Sequence, residues 1–343
     1  MVSISILIKN ILTSCLSLLL IVAVIEILLQ LMPFVSHAPE TISINMDQPI
    51  KRYKVHDEFV YAKGRFGDIV QKHKTNELGF NTPISFIKDK LTHCMIGDSY
   101  VEAMQVSSDD SFHGLLNQND VSVYPIASSG SPLSQYIAYA KWAIREFNCQ
   151  KLFFFIIEND FDESLISVKN APGFHYFNEK GLLTLVEHKK SQLKDGLKNL
   201  ALINYLHTNL EISRLISQNQ SSDNSFDSDS LDRKVKNSIH AIDFFFEHLL
   251  RISFSLQDVV MVLDGDRHSI YNNYTDRQGY NAVVYDYFKD KLDALNIEKI
   301  DLHPIFFQHY KENNNQFNFK TDYHWNEVGH EVVSKALLTS NLM

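Results

Sequence analysis

Six apolar residues in succession, Leu152-Phe153-Phe154-Phe155-Ile156-Ile157, constrain this chain more than any other feature. A strand with one wet face alternates apolar and polar side chains. An unbroken run with polar flanks marks a strand covered on both faces, as in the middle of a parallel sheet. Related runs follow the same plan. Leu91–Ile96 ends at Gly97, Val121–Ile126 is closed by the turn Ser128-Ser129-Gly130, Val259–Leu263 ends at Asp264, and a short run lies near 299–302. Helical spacing fills the gaps, over 109–118, 134–147, 280–295 and 326–338, and along a segment whose Val235, Ile239, Ile242, Phe246 and Leu249 share one face. Strand–helix alternation of this kind predicts an α/β fold with helices on both faces of a central parallel sheet.

Two stretches fall outside that rhythm. Residues 36–90 read as an extended lead-in with turns at Lys63-Gly64 and Leu78-Gly79. Residues 161–233 read as an insertion, with a helix near 194–216 and then the polar, low-complexity loop SQNQSSDNSFDSDS. The Asn-rich stretch 313–318 is also read as loop. The expected division is a membrane anchor over 1–38, a lead-in over 39–90 and a catalytic-type domain over 91–343.

The anchor rests on Ile11–Val35, where Glu26 is the only charged residue. Such a run is long enough to cross a bilayer and longer than the apolar core of a cleaved leader, so a transmembrane helix that stays on the chain is expected. Glu26 is read as tolerated by so apolar a segment. Lys9 and the chain amine precede the span, which favours an N-terminus inside and the large domain outside the cytoplasm.

At 343 residues, 45% hydrophobic and 21% charged, the chain can bury one sizeable core. A net charge of -9 argues against nucleic acid, whose phosphates need a basic surface. Cys15 lies in the apolar run, while Cys94 and Cys149 are read as buried free thiols. The sequence has no zinc-site spacing, and neither a metal nor an organic cofactor is expected.

Sites in open parallel sheets form at the carboxyl ends of the strands, so the strand ends are where chemistry is sought. Gly97-Asp98-Ser99 places a serine hydroxyl at that edge, with nearby amides able to hold an oxyanion; alone, it reads equally well as an ordinary capped turn. Near the end of the chain stands Asp322-Tyr323-His324. His324 has the chemistry of a general base, and Asp322 is close enough to bind its other ring nitrogen and fix the tautomer. Alone, this pair is also common in surface loops. Asp98 is assigned a loop-stabilising role, because adjacent side chains seldom meet. His330 is read as helix packing or solvent exposure rather than catalysis, Asp264 and Asp266 as a strand-end turn in preference to a substrate mouth or a metal site, and the three phenylalanines as core.

Together these pieces resemble the SGNH (GDSL-like) hydrolase family. Gly97-Asp98-Ser99 matches its first block, Gly130 the glycine after the second strand, Asn159 the asparagine after the third, and Asp322 with His324 the final block. The resemblance covers about 90–340, together with the lead-in Thr75-Asn76-Glu77-Leu78-Gly79-Phe80. It implies a flavodoxin-like three-layer sandwich, the SGNH hydrolase fold. It also implies that Ser99 attacks an acyl ester, with His324 and Asp322 completing a triad. The Ser99 and Gly130 amides and the Asn159 side chain would form the oxyanion hole. Pro125, Glu158 and the short Asp-x-His block followed by Trp325 depart from the common pattern; the last resembles the branch of alginate O-acetylation proteins. The expected function is a serine esterase or O-acyltransferase acting outside the cytoplasm on a glycan- or lipid-linked acyl ester. The competing class is a non-catalytic glycan-binding accessory of a membrane acyltransferase partner.

Overall fold

The computed structural model describes residues 4–87, 90–191, 196, 200–212 and 228–343. In chain order its main elements are helix α1 (Ile4–Gln30), strands β1 (Glu58–Lys63) and β2 (Ile69–Lys74), and strand β3 (Leu91–Gly97). Then come α2 (Ser99–Glu102), α3 (Phe112–Gln118), β4 (Val123–Ala127), α4 (Leu133–Glu146) and β5 (Asn148–Ile156). The hairpin β6 (His175–Phe177) and β7 (Leu183–Leu185) follows, then α5 (Ala201–Asn204) and α6 (Ser228–Leu249). The chain finishes with β8 (Val259–Leu263), α7 (Arg267–Tyr271), α8 (Gly279–Leu295), β9 (Glu298–Asp301), α9 (Leu302–Asn313) and α10 (Glu327–Thr339).

Five strands form one parallel sheet in the order β4-β3-β5-β8-β9. Side chains of β5 alternate between two cores. Leu152, Phe154 and Ile156 face the apolar side chains of α4, α6 and α8, including Ile137, Phe245 and Phe288. Phe153 and Phe155 face those of α3, α9 and α10, including Phe112, Phe306 and Val333. That is the three-layer sandwich expected from the unbroken apolar run, with burial on both sides. Register brings the carboxyl ends into line, since Gly97 pairs with Ala127, Ile156 with Leu263 and Leu263 with Asp301. The segments that follow β3, β4, β5 and β8 therefore leave the sheet at one edge.

The chain divides into two compact units. One comprises Met1–Ala38, Phe59–Lys72 and Ser191–Ser222. Within it Ile6–Gln30 is a helix long and apolar enough to cross a membrane, none of it buried. Glu26 is not simply tolerated there, as the sequence had suggested. Its carboxylate accepts hydrogen bonds from the backbone amides of Ala201 (2.8 Å) and Leu202 (2.9 Å) and from Gln30 (2.8 Å). Amides at the start of a helix have no partner within it, so α5 supplies donors for the acid. Of the helix expected near 194–216, α5 and a turn at 205–209 are described; most of its flanks, and the polar stretch up to residue 227, lie outside the described residues.

The other unit comprises Pro39–Glu58, His73–Lys190 and Asp223–Met343 and holds the five-stranded sheet. Here Cys94 and Cys149 are joined in a disulfide, with Cα atoms 5.7 Å apart, so the expectation of two free thiols is corrected. The reason is a local irregularity. Thr92 pairs with Cys149 but His93 with Lys151, which leaves Gln150 as an extra residue in β5. An extra residue reverses the side-chain alternation and turns Cys149 to the face that carries Cys94. Helix α9 was not read from the sequence. Pro304 interrupts its pattern, yet lies in the first turn, where a missing N–H loses no helical bond.

Candidate active site

Gly97 ends β3 in tight quarters: a Cβ there would lie 2.3 Å from Val101 Cγ2 and 3.4 Å from Phe155 Cβ. The chain turns at once into α2. Asp98 caps this turn, its Oδ1 accepting from the Tyr100 amide at 2.9 Å. Ser99 is therefore the first helical residue at the sheet edge. Its Oγ lies 2.8 Å from His324 Nε2. On the other side of the ring, Nδ1 is hydrogen-bonded to Asp322 Oδ1, which also accepts the His324 backbone amide at 2.9 Å. The structure thus brings Ser99, His324 and Asp322 into one chain of hydrogen bonds, with Asp322 buried and His324 partly open. In this arrangement Nδ1 carries its proton toward the carboxylate, and Nε2 is left to accept the hydroxyl proton.

Asp98 does more than stabilise the loop. Its Oδ2 stands 3.2 Å from Ser99 Oγ, so these adjacent side chains do meet. Burial lifts its pKa to about 6, opposed by the Tyr100 amide and by His324.

The remaining expected residues follow the neighbouring strands. β4 and β5 flank β3, so Gly130 and Asn159 leave the sheet on either side of Ser99. Gly130 has φ +78°, a left-handed conformation that glycine adopts without strain. Its loop is tied to α2 by buried Glu102, which accepts from the Ser129 amide at 2.7 Å and from the Ser129 hydroxyl. Asn159 sits exposed in a single 3-10 turn after β5. Among the described residues, the Ser99 amide, the Gly130 amide and the Asn159 side-chain amide donate to no other group. Three N–H donors stand open at the ends of three adjacent strands.

Sequence reasoning missed the network beneath the histidine loop. Arg267 donates to both oxygens of Asp264 (3.1 and 2.9 Å) and to the Tyr100 hydroxyl (2.6 Å). That hydroxyl donates to the Tyr323 carbonyl at 3.1 Å. The Trp325 indole donates to Asp264 Oδ1 at 3.1 Å. Burial raises the Asp264 pKa, while Arg267 pulls it down and is itself held charged by the pair. Asp264 is thus an anchor for the loop rather than an ordinary strand-end turn, whereas Asp266 caps α7. Of the two readings offered for His330, packing holds and solvent exposure does not: it is buried, its ring stacked on Phe112. Among the described residues no group of His, Cys, Asp and Glu is placed to hold a metal.

A search of curated proteins finds no match. Among solved structures, similar chains include a lipolytic protein of the G-D-S-L family from Veillonella parvula, at 13% identity and a TM-score of 0.39, covering 73% of this chain and 97% of that one. The lipase Lip_vut3 from a goat rumen metagenome has 12% identity and a TM-score of 0.41, with 73% and 96% covered. A catalytic mutant of an acetylxylan esterase from Geobacillus stearothermophilus has 9% identity and a TM-score of 0.38, with 74% and 94% covered. The family model for the SGNH hydrolase-like domain of the acetyltransferase AlgX matches residues 234–340, a span that includes Asp264, Asp322 and His324. Over residues 234–340 the chain is therefore similar to the SGNH hydrolase-like domain, set here in a five-stranded parallel sheet with helices on both faces.

Proposed function

We propose that Ser99 is the nucleophile of an acyl-ester hydrolase or O-acyltransferase that works outside the cytoplasm. The observation that carries this reading is the Ser99–His324–Asp322 chain of hydrogen bonds at the carboxyl edge of the sheet. Ser99 Oγ attacks the ester carbonyl while its proton passes to His324 Nε2, and Asp322 stabilises the imidazolium. The carbonyl oxygen, now an anion, receives the open N–H groups of Ser99, Gly130 and Asn159. Collapse expels the alcohol, which takes the proton from His324 and leaves an acyl ester on Ser99. Water or a sugar hydroxyl then attacks with His324 again as base. The substrate is a glycan- or lipid-linked acyl ester of the cell envelope.

The location is supported by two features. The apolar helix suits an anchor over 1–38, with the lead-in at 39–90 and the catalytic domain over 91–343. The Cys94–Cys149 disulfide suits an oxidising compartment beyond the cytoplasm. Labelling with a fluorophosphonate probe tests the nucleophile. The full-length protein should label once, and Ser99→Ala should not. Labelling that persists in Ser99→Ala would move the nucleophile elsewhere.

A further inference from the structure

A cleft of about 660 Å³ borders the catalytic pair. Tyr100 and Tyr323, the chain neighbours of Ser99 and His324, both line it, and so does Asn159. Its volume is in the range of small-ligand sites, large enough for one or two sugar rings. Tyr323 is 70% exposed. A large ring that adds so little to the core is free to serve a ligand. Its place is nonetheless fixed, because its carbonyl is held by Tyr100 and its two neighbours are Asp322 and His324.

The charges in the wall are already committed. Arg267 is spent on Asp264 and Tyr100. Asp266 caps α7 through the Ser269 amide (3.1 Å) and hydroxyl (2.6 Å). Glu158 accepts from Asn281 at 3.1 Å and from Lys234, which does not line the cleft, at 3.4 Å. Carboxylates outnumber guanidinium groups in the wall, and no lysine or arginine among its described residues lacks a carboxylate partner. Binding a polyanion calls for free arginine or lysine facing its carboxylates or phosphates. Beyond the Asn159 amide already given to the carbonyl oxygen, the polar groups without a partner here include the Asn281 side-chain oxygen, the His268 imidazole and the Tyr323 phenol. These are groups that hydrogen-bond hydroxyls and stack on rings.

We infer that this cleft takes an uncharged O-acylated glycan, with one sugar ring laid on Tyr323, and disfavours polyuronates and phosphate-bearing polymers. The inference rests on the proposed serine esterase or transferase chemistry and adds the class of its substrate. Tyr323 sets specificity, and Ser99 and His324 do the chemistry.

Two measurements on the full-length protein in detergent micelles test it. The first is binding of acetylated xylo-oligosaccharide and of acetylated oligouronate of matched length to the Ser99→Ala variant, which needs no turnover. The neutral oligosaccharide should bind at least about tenfold more tightly, because the uronate carboxylates would face Glu158 and Asp266 with no free cation among the described residues to pair them. Equal or tighter binding of the oligouronate overturns the inference, whatever the catalytic outcome. The second compares kcat/KM for acetylated xylo-oligosaccharide and p-nitrophenyl acetate. Tyr323→Ala should lower the first at least about tenfold more than the second, with Tyr323→Phe restoring most of the loss. Proportional losses on both substrates would contradict a stacking role. Absence of both fluorophosphonate labelling and p-nitrophenyl acetate hydrolysis would count against the serine chemistry alone, and the binding arm would still decide the glycan class.

Discussion

The Trp325 indole donates to Asp264 over 3.1 Å, so the residue that follows His324 is fastened to the end of β8. The same carboxylate holds Arg267, and Arg267 holds Tyr100, the residue after Ser99. One buried ion pair therefore spans the chain neighbours of both Ser99 and His324. Its work is positional, since neither Asp264 nor Arg267 is hydrogen-bonded to Ser99 or His324.

Asp264→Asn should expose that role. The substitution leaves Arg267 without its counter-charge in a buried setting, where loss of one partner typically costs about 3–5 kcal/mol. Thermal unfolding should show the loss. In the folded protein, well below the new midpoint, kcat should also fall while KM changes little, because the Trp325 tether slackens. A stability loss with kcat unchanged would mean the network supports the fold alone.

Asn159→Ala should behave in the opposite way. The residue is exposed, so the melting temperature should hold. If its amide serves the oxyanion, kcat should drop about a hundred- to thousand-fold with little change in KM. Steady-state kinetics on p-nitrophenyl acetate, beside a melting curve, separates this from a turn role, which would lower stability and spare kcat.

Two buried histidines give a pH signature. Burial depresses both His113 and His330 to about 3. The unfolded chain takes up protons near its ordinary value of about 6.5, while the folded chain resists until far lower pH. The stabilisation from each neutral ring is thus complete above about pH 6.5 and is lost as the pH falls toward 3. Buried Asp98, lifted to about 6, acts with the opposite sign: its neutral form favours the fold in acid, and that advantage is lost as the pH rises through 6. Comparison with His330→Asn isolates one histidine. The destabilisation caused by His330→Asn at pH 8 should shrink by about 1.4 kcal/mol per pH unit between roughly pH 6 and 4, measured by urea titration. A difference that stays constant across that range would contradict a buried neutral His330.

The sheet was legible because burial on both faces leaves a mark in the chain, namely unbroken apolar runs such as Leu152–Ile157. The serine and histidine blocks were legible because each sits at a strand end or just before a helix, positions a sequence can announce. Contacts between distant segments leave no such mark. The Arg267–Tyr100 bond joins residues 167 positions apart, with no spacing to betray it. The disulfide was hidden by one extra residue, Gln150, which strand alternation does not anticipate. Glu26 was misjudged because its partners are backbone amides, and every residue type carries those.

The central claim is that Ser99 carries the acyl group. Intact mass spectrometry of the full-length protein after brief exposure to an activated acetyl ester tests it most directly. The account predicts a population heavier by one acetyl group, mapped to the peptide containing Ser99, absent from Ser99→Ala and accumulating further in Asp322→Asn if deacylation slows more than acylation. Acetylation that persists in Ser99→Ala, or turnover of the ester by Ser99→Ala at the unaltered rate, would contradict it.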